Sequence, residues 1–370
     1  MSVIKKLVLI SSLALLLSGC NQEKVSVNTS DSPFKIGVVL PLSGDAAAYG
    51  EETKVVLEQT LKTINSESKK VELFYEDGKC SGTDAVTAYQ KLRDINKVQA
   101  ILGGVCSSES LAMAPFLEAD QIVALSGGSS SPDIEGASPY LYTLAYNDNI
   151  IAEQIAASVE GKEKVAIITE QNDYNIGIQK VLETLIPEQI VSNEVFVKGS
   201  VDFRNIIQKS LNEKPDALVL NPNIGATADN LLKQLSEFKD ELEDTLLVTQ
   251  IAYLSEESRA NAPEVAEGML VVDSPNITSQ EMVDFKASLT QSTDNLGDFM
   301  TATMHDALLN LSNSYQNSIA NQSSILVELT QNPLIGIIAG GKSFDGKNFL
   351  QGIQAGVFEI KDQKATLTNN

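Results

Sequence analysis

Small hydroxyls and glycines gather at a few places in this 370-residue chain, each directly after a short apolar run. Pro41-Leu42-Ser43-Gly44 leads to Tyr49-Gly50, and Gly103-Gly104-Val105-Cys106-Ser107-Ser108 and Ser126-Gly127-Gly128-Ser129-Ser130-Ser131-Pro132 follow later. Further along come Glu170-Gln171-Asn172-Asp173-Tyr174, Asn221-Pro222-Asn223 and Gln250-Ile251-Ala252-Tyr253. Backbone N–H groups and hydroxyls presented at helix starts suit a carboxylate, so the chemistry on offer is anion binding. Turn-making and helix capping are the plainer duties of the same residue types, and any one of them alone carries little. Their recurrence after every apolar run is what points to a site.

Catalytic chemistry finds less support. His305 is the single histidine, which rules out a His-rich metal site, and beside Asp306 on a helical stretch it reads as a surface or satisfied core histidine. Gly336 to Ser343 spells a phosphate-binding loop, but Phe344-Asp345-Gly346 follows where a helix is required, so it reads as a turn. No catalytic residue, metal site or cofactor is expected. Formal charge is −22, from 27 Lys and Arg against 49 Asp and Glu, and such a field repels phosphate backbones. Nucleic-acid binding is thereby excluded.

The elements that hold these loops alternate short apolar runs with amphipathic segments, the pattern of parallel sheets wound with helices. Strands are expected at 35–40, 71–76, 98–102 and 121–125, with helices at 51–64, 84–94 and 108–119. A second set has strands at 164–169, 190–197, 217–221 and 246–250 and helices at 176–185, 203–211 and 227–238. Helices near 279–289, 301–315 and 324–329 come next, then a strand pair within 349–367 turning at Lys361-Asp362-Gln363. The fold class is α/β, two Rossmann-like lobes, each a parallel sheet flanked by helices. Ligands bind such sheets beyond the carboxyl ends of their strands, where the hydroxyl-rich loops lie.

The start of the chain poses a separate question. Lys5 and Lys6 precede an apolar run over 7–18 that is too short to cross about 30 Å of hydrocarbon, as a signal peptide has. Leu17-Ser18-Gly19-Cys20 resembles a bacterial lipobox, which implies a leader over 1–19 and acylation of Cys20. Residues 20–33 then form a polar tether reaching at most about 45 Å. The expected location is extracytoplasmic, on a bacterial membrane through the lipid.

Several stretches carry a family resemblance. Phe34 to Gly44, Ala48-Tyr49-Gly50, Cys106-Ser107-Ser108, Pro139 to Tyr142 through Asn147-Asp148, Ala266 to Met269 and Ser343 to Gly346 are similar, in this order, to the branched-chain amino-acid-binding subgroup of type I periplasmic binding proteins. The resemblance implies two lobes joined by three crossovers near Asp148, Asp273 and Ile353, with lobe 1 at 34–147 plus 274–352 and lobe 2 at 148–273 plus 353–370. It implies a monomer that closes on a small ligand, most often an amino acid, and hands it to an ABC permease. A sensing co-receptor for a membrane receptor is the alternative partner, and an amide or small carboxylate the alternative ligand.

By resemblance, Ser107 meets the ligand carboxylate, Gly128 offers a carbonyl to the ammonium, and Ser130 adds a hydroxyl and N–H. Tyr49 and Tyr174 line the cleft, and Asn223 stands where a second-lobe tyrosine is common. Gln250 departs from the pattern: relatives often place an acid there to pair the ammonium, and a neutral amide cannot make that charge-assisted bond. Asp148, Glu170 or Asp173 are left as substitutes. Besides Cys20 the chain has Cys80 and Cys106, a pair with one possible connectivity in an oxidising space, and the resemblance implies the same bridge. Two free buried thiols are the alternative.

Overall fold

The computed structural model describes residues 32–66, 70–274 and 277–368. The leader, Cys20 and nearly all of the tether lie outside them. No helix among the described residues is long and apolar enough to cross a membrane.

Five parallel strands make the first sheet: β1 (Phe34–Leu40), β2 (Val71–Asp77), β3 (Ala100–Leu102), β4 (Ala124–Ser126) and β5 (Leu141–Thr143), in the order β2-β1-β3-β4-β5. Helices α1 (Ala47–Ser66), α2 (Gly82–Lys91) and α3 (Ser107–Asp120) connect the first four, and α4 (Asn149–Ser158) leads away from the fifth. Apart from the half-buried Lys35, β1 is apolar and buried on both faces, as helix-covered parallel strands must be. The strand order reverses between β1 and β3, so the loops after these two strands part and leave a crevice.

A second sheet holds β6 (Val165–Glu170), β7 (Ile190–Phe196), β8 (Ala217–Asn221), β9 (Leu246–Thr249) and β10 (Leu270–Asp273), all parallel. Its helices are α5 (Asp173–Leu185), α6 (Arg204–Asn212), α7 (Ala226–Leu235) and the short α8 (Glu256–Arg259) and α9 (Pro263–Ala266). The chain then returns to the first sheet as α10 (Gln280–Ser288), α11 (Gly297–Asn321) and α12 (Ile325–Gln331). It ends in β11 (Gly356–Lys361) and β12 (Lys364–Leu367), an antiparallel pair added beside β10.

α11 closes the first core: Phe34 stacks on Tyr315 with ring centroids 4.1 Å apart, and Thr60 Oγ1 lies 2.7 Å from His305 Nδ1. His305 also packs on the Phe285 ring, and burial holds its pKa down at about 4, so it is a neutral core histidine. The glycine-rich stretch beginning at Gly336 has no strand before it. Its N–H groups at Ile337, Ile338 and Ala339 each donate to the Asp306 carboxylate at 2.8 Å, so a protein carboxylate fills the nest that the phosphate-loop spelling suggested.

Two expected strand starts are displaced. Gln121 is the left-handed C-cap of α3 and Ile122 N–H still donates to Leu117 O, so the strand placed at 121–125 begins at Ala124. Likewise Lys97 ends the π-helical turn Leu92–Asn96 in the left-handed region, and the strand placed at 98–102 begins at Ala100. Five elements carried no periodic signal: β5, α4, α8, α9 and β10.

Candidate functional site

The hydroxyl-rich loops converge between the sheets. They wall a cleft of about 1050 Å³, including its part open to solvent. Among the residues singled out in the sequence, Tyr49, Ser107, Gly128, Ser130, Tyr174 and Asn223 line it, with Cys80, Cys106 and Glu170. Asp148 and Gln250 are not in its wall; both are buried behind it. Asp173 takes another role, its carbonyl accepting the Ser131 hydroxyl at 3.0 Å from across the cleft.

Ser107 begins α3, where the first-turn N–H groups have no acceptor within the helix and the helix dipole favours an anion. Its hydroxyl accepts the N–H groups of Ser130 at 3.2 Å and Ser131 at 3.1 Å. Both lone pairs are thus used, and the hydroxyl proton is left for an acceptor in the cleft. Ser126 holds the neighbouring loop in the same manner, accepting Gly128 and Ser129 N–H at 3.1 and 2.9 Å and donating to Gly104 O at 2.6 Å. Gly128 has to be glycine: a Cβ would come within 2.8 Å of Val105 O and 2.9 Å of Met300 Cε.

The Cys80–Cys106 disulfide joins the loop after β2 to the start of α3. Beneath it the buried Glu109 carboxylate accepts Cys80 N–H and Cys106 N–H, each at 3.0 Å. Burial pushes this carboxyl up to about 7 against the pull of those N–H groups. Gly78 and Gly104 leave the carboxylate its room, since a Cβ on either would meet a Glu109 side-chain atom at 2.2 or 2.3 Å. Sequence reading missed Glu109, although glutamate three residues after an N-cap position is the spacing of a capping box.

On the far side, Tyr174 stands in the first turn of α5, capped by Asn172 accepting Asn175 N–H at 2.9 Å. Its hydroxyl donates to Gln250 Oε1 at 3.3 Å, and the same oxygen accepts Ala252 N–H at 3.1 Å. Gln250 Nε2 donates to Pro222 O, so the amide is consumed internally. Asn223 N–H donates to Glu170 Oε2 at 2.9 Å. Burial raises the Glu170 carboxyl, opposed by this N–H and by Lys198. Asp273, which the sequence marked only as a crossover, also lines the cleft. Tyr146 donates to its Oδ1 at 2.9 Å, and burial pushes it up to about 6.

The two halves touch around the rim: Lys180 pairs with Asp133 at 3.0 Å, Lys198 donates to Lys79 O at 3.2 Å, and Thr227 donates to Asp45 Oδ2 at 3.3 Å. This is a closed cleft between two α/β lobes. The family model described as periplasmic binding protein matches residues 33–310. The chain belongs to that family. Its members are solute-binding proteins of ABC transporters and not enzymes, and they work outside the cytoplasm.

An amino acid binding protein of Pseudomonas aeruginosa is 22% identical over 250 residues, covering 64% of this chain and 66% of that protein. A Leu/Ile/Val/Thr-binding protein of Salmonella typhimurium is 24% identical over 370 residues, covering 93% and 96%. Among solved structures, the branched-chain amino acid transporter substrate binding protein LivJ from Streptococcus pneumoniae in complex with isoleucine superposes with a TM-score of 0.76 at 21% identity, covering 92% of this chain and all of that one. A solute binding protein of an ABC transporter from Rhodopseudomonas palustris HaA2 in complex with p-hydroxybenzoic acid gives 0.79 at 17% identity, covering 92% and 96%. Both share the fold.

Proposed function

We propose that this solute-binding protein captures an apolar amino acid, its carboxylate on Ser107, Ser130 and the start of α3, and delivers it to an ABC permease. The observation that supports the reading is the Ser107 hydroxyl, whose lone pairs are taken by Ser130 and Ser131 N–H and whose proton is therefore left to donate to an anion. Apolar residues from both sides, Val105, Phe299 and Met300 against Ile224, Ile251 and Leu254, supply a surface for an aliphatic or aromatic side chain. The Salmonella and Streptococcus relatives support an amino acid.

Lobe 1 is 34–147 with 274–352 and lobe 2 is 148–273 with 353–370, acting as a monomer held to the membrane by acylated Cys20. The lipobox spelling supports the anchor. A second reading, a small carboxylate without an ammonium, is favoured by Gln250 being bonded within the protein and by the hydroxybenzoate complex of the Rhodopseudomonas neighbour. Thermal shift of the domain from residue 32 separates them. An amino acid at a hundredfold Kd adds about 2.7 kcal/mol of stability. Stabilisation by benzoates but by none of the twenty common amino acids would overturn the first reading.

A further inference from the structure

Two apolar residues of the wall on the second-sheet side, Ile251 and Leu254, have open space before and behind them. They line the cleft, and they also line a second cavity of about 1100 Å³, including its part open to solvent. Between them Ala252 and Tyr253 turn into the second core, where the Tyr253 hydroxyl donates to Ala228 O at 2.8 Å. Side chains with a cavity on either side get little backing from packing, so the backbone of the turn decides how far they reach toward a ligand.

Hydrogen bonds hold that turn, Ile251–Tyr253, at both ends. At its start Gln250 Oε1 accepts Ala252 N–H at 3.1 Å. At its end Arg259 of α8 reaches back, and Nη1 donates to Tyr253 O at 2.7 Å and Leu254 O at 2.5 Å. Nη2 donates to Gln363 O at 2.6 Å, in the turn between β11 and β12. The tip of that hairpin is docked in its own right, by Asp362 N–H on Glu267 Oε1 and the Gln363 amide on Pro263 O, both at 3.0 Å. Arg259 is 1% exposed, its Nε has no partner among the described residues, and the three groups it bonds are backbone carbonyls. Packing alone gives no reason to bury a cation there, because an apolar side chain of similar length would fill the space without the desolvation cost. A planar fork of N–H groups holds three carbonyls from two segments at once, which a single ammonium matches poorly.

We propose that Arg259 is a positioning residue for ligand selectivity: by tying the turn at 251–254 to the tip of the last hairpin, it sets the depth of the apolar wall and with it the preference for large over small side chains. This rests on the amino-acid reading above and adds the group that gauges the side chain. Arg259 is not in the cleft wall and acts through Ile251 and Leu254. Without it the turn keeps Gln250 and Tyr253 but loses the hold on its last two carbonyls, and Leu254 is free to move toward the second cavity. The ligand's carboxylate, held on the α3 side, is then unaffected while its side chain loses a wall.

Isothermal titration of the processed, full-length protein, by displacement where binding is weak, tests this with alanine and with the tightest binder among leucine, isoleucine, valine and phenylalanine. Arg259→Met should lower the preference for the larger amino acid by about fivefold or more and leave alanine within about twofold, which also shows that the variant folds. Arg259→Lys should fall between, and it decides the matter alone if the methionine variant does not fold. Leu211→Ala, on α6 in the same core and outside the cleft wall, should lower Tm and keep the wild-type preference, which separates positioning from loss of stability. Large and small amino acids weakened alike, or neither weakened, in the Arg259 variants overturns this proposal and leaves the amino-acid reading standing. If the wild type binds benzoate and none of these amino acids, the amino-acid reading falls, and benzoate against acetate becomes the pair on which the same variants are judged. If it binds none of these, both fall.

Discussion

Removing one oxygen, with Ser107→Ala, should have two separable effects. In the empty protein that oxygen accepts Ser130 and Ser131 N–H, and all three residues are buried or nearly so, at 2%, 6% and 0% exposed. Leaving a buried donor unpaired costs about 1–3 kcal/mol. Cleft water can enter the space of the lost hydroxyl and serve one of the two, so we expect a loss of about 1–3 kcal/mol in total. For a chain of this size that is roughly 1–4 °C in Tm. The ligand loses the hydroxyl proton, a bond to a charged group of about 1.5–3 kcal/mol, or roughly ten- to a hundredfold in Kd. Ser108→Ala is the comparison, because its hydroxyl accepts only Asp173 N–H at 3.4 Å, and it should do much less on both scales. Differential scanning calorimetry reads the first effect and isothermal titration with the best-binding amino acid the second. A stability loss with unchanged affinity would mean that the hydroxyl proton does not face the ligand. An affinity loss with unchanged Tm would refute the two N–H contacts.

Acidity should favour the empty fold in a defined window. Glu109 has a folded pKa of about 7, above its unfolded value, so its contribution is complete below the unfolded pKa and is lost as pH rises through 7. His305, depressed to about 4, acts in the opposite sense but only below about 6.5. Between pH 6.5 and 8 the wild type should therefore lose about 1 kcal/mol on account of Glu109, and Glu109→Gln should flatten this slope in urea titrations at each pH. A wild-type stability that rises over this interval would contradict the assignment. At the other end of the chain, mass spectrometry of membrane-extracted protein should find a diacylated or triacylated Cys20 as the mature N-terminus, and Cys20→Ser should remain unprocessed; an unmodified Cys20 in the wild type would remove the anchor.

The loops after β1, β3, β4, β6 and β8 were legible because each follows a continuous apolar run, and parallel sheets put the ligand at those ends. Tyr49, Ser107, Gly128, Ser130, Tyr174 and Asn223 accordingly reach the cleft. β5 and β10 were not, since three or four residues show no period. With β10 unseen, Asp273 looked like a linker residue when it is a wall residue at a strand end. Glu109 was obscured for a different reason. An acid in the first turn of a helix reads as solvated dipole chemistry, and only the approach of the β2 loop, with glycine at 78 and 104, converts it into a buried brace. Gln250 was read only by its neutral amide, and two of the three groups it holds, Pro222 and Tyr174, lie far away in sequence, with Ala252 as the local third.

The contact between Thr60 and His305 joins residues 245 apart in the chain. A ribosome adding 5–20 residues per second needs roughly 12–50 s to cover that interval. Throughout it α1 has no partner for the face that α11 will cover, and the second sheet still lacks the closing pair β11 and β12, which follow α11 in the chain. Neither half can finish its core until these late segments have been made. Interleaving the lobes along the chain thus postpones compaction, and a polypeptide that stays extended while it is being made suits a protein that has to be threaded across a membrane before it folds.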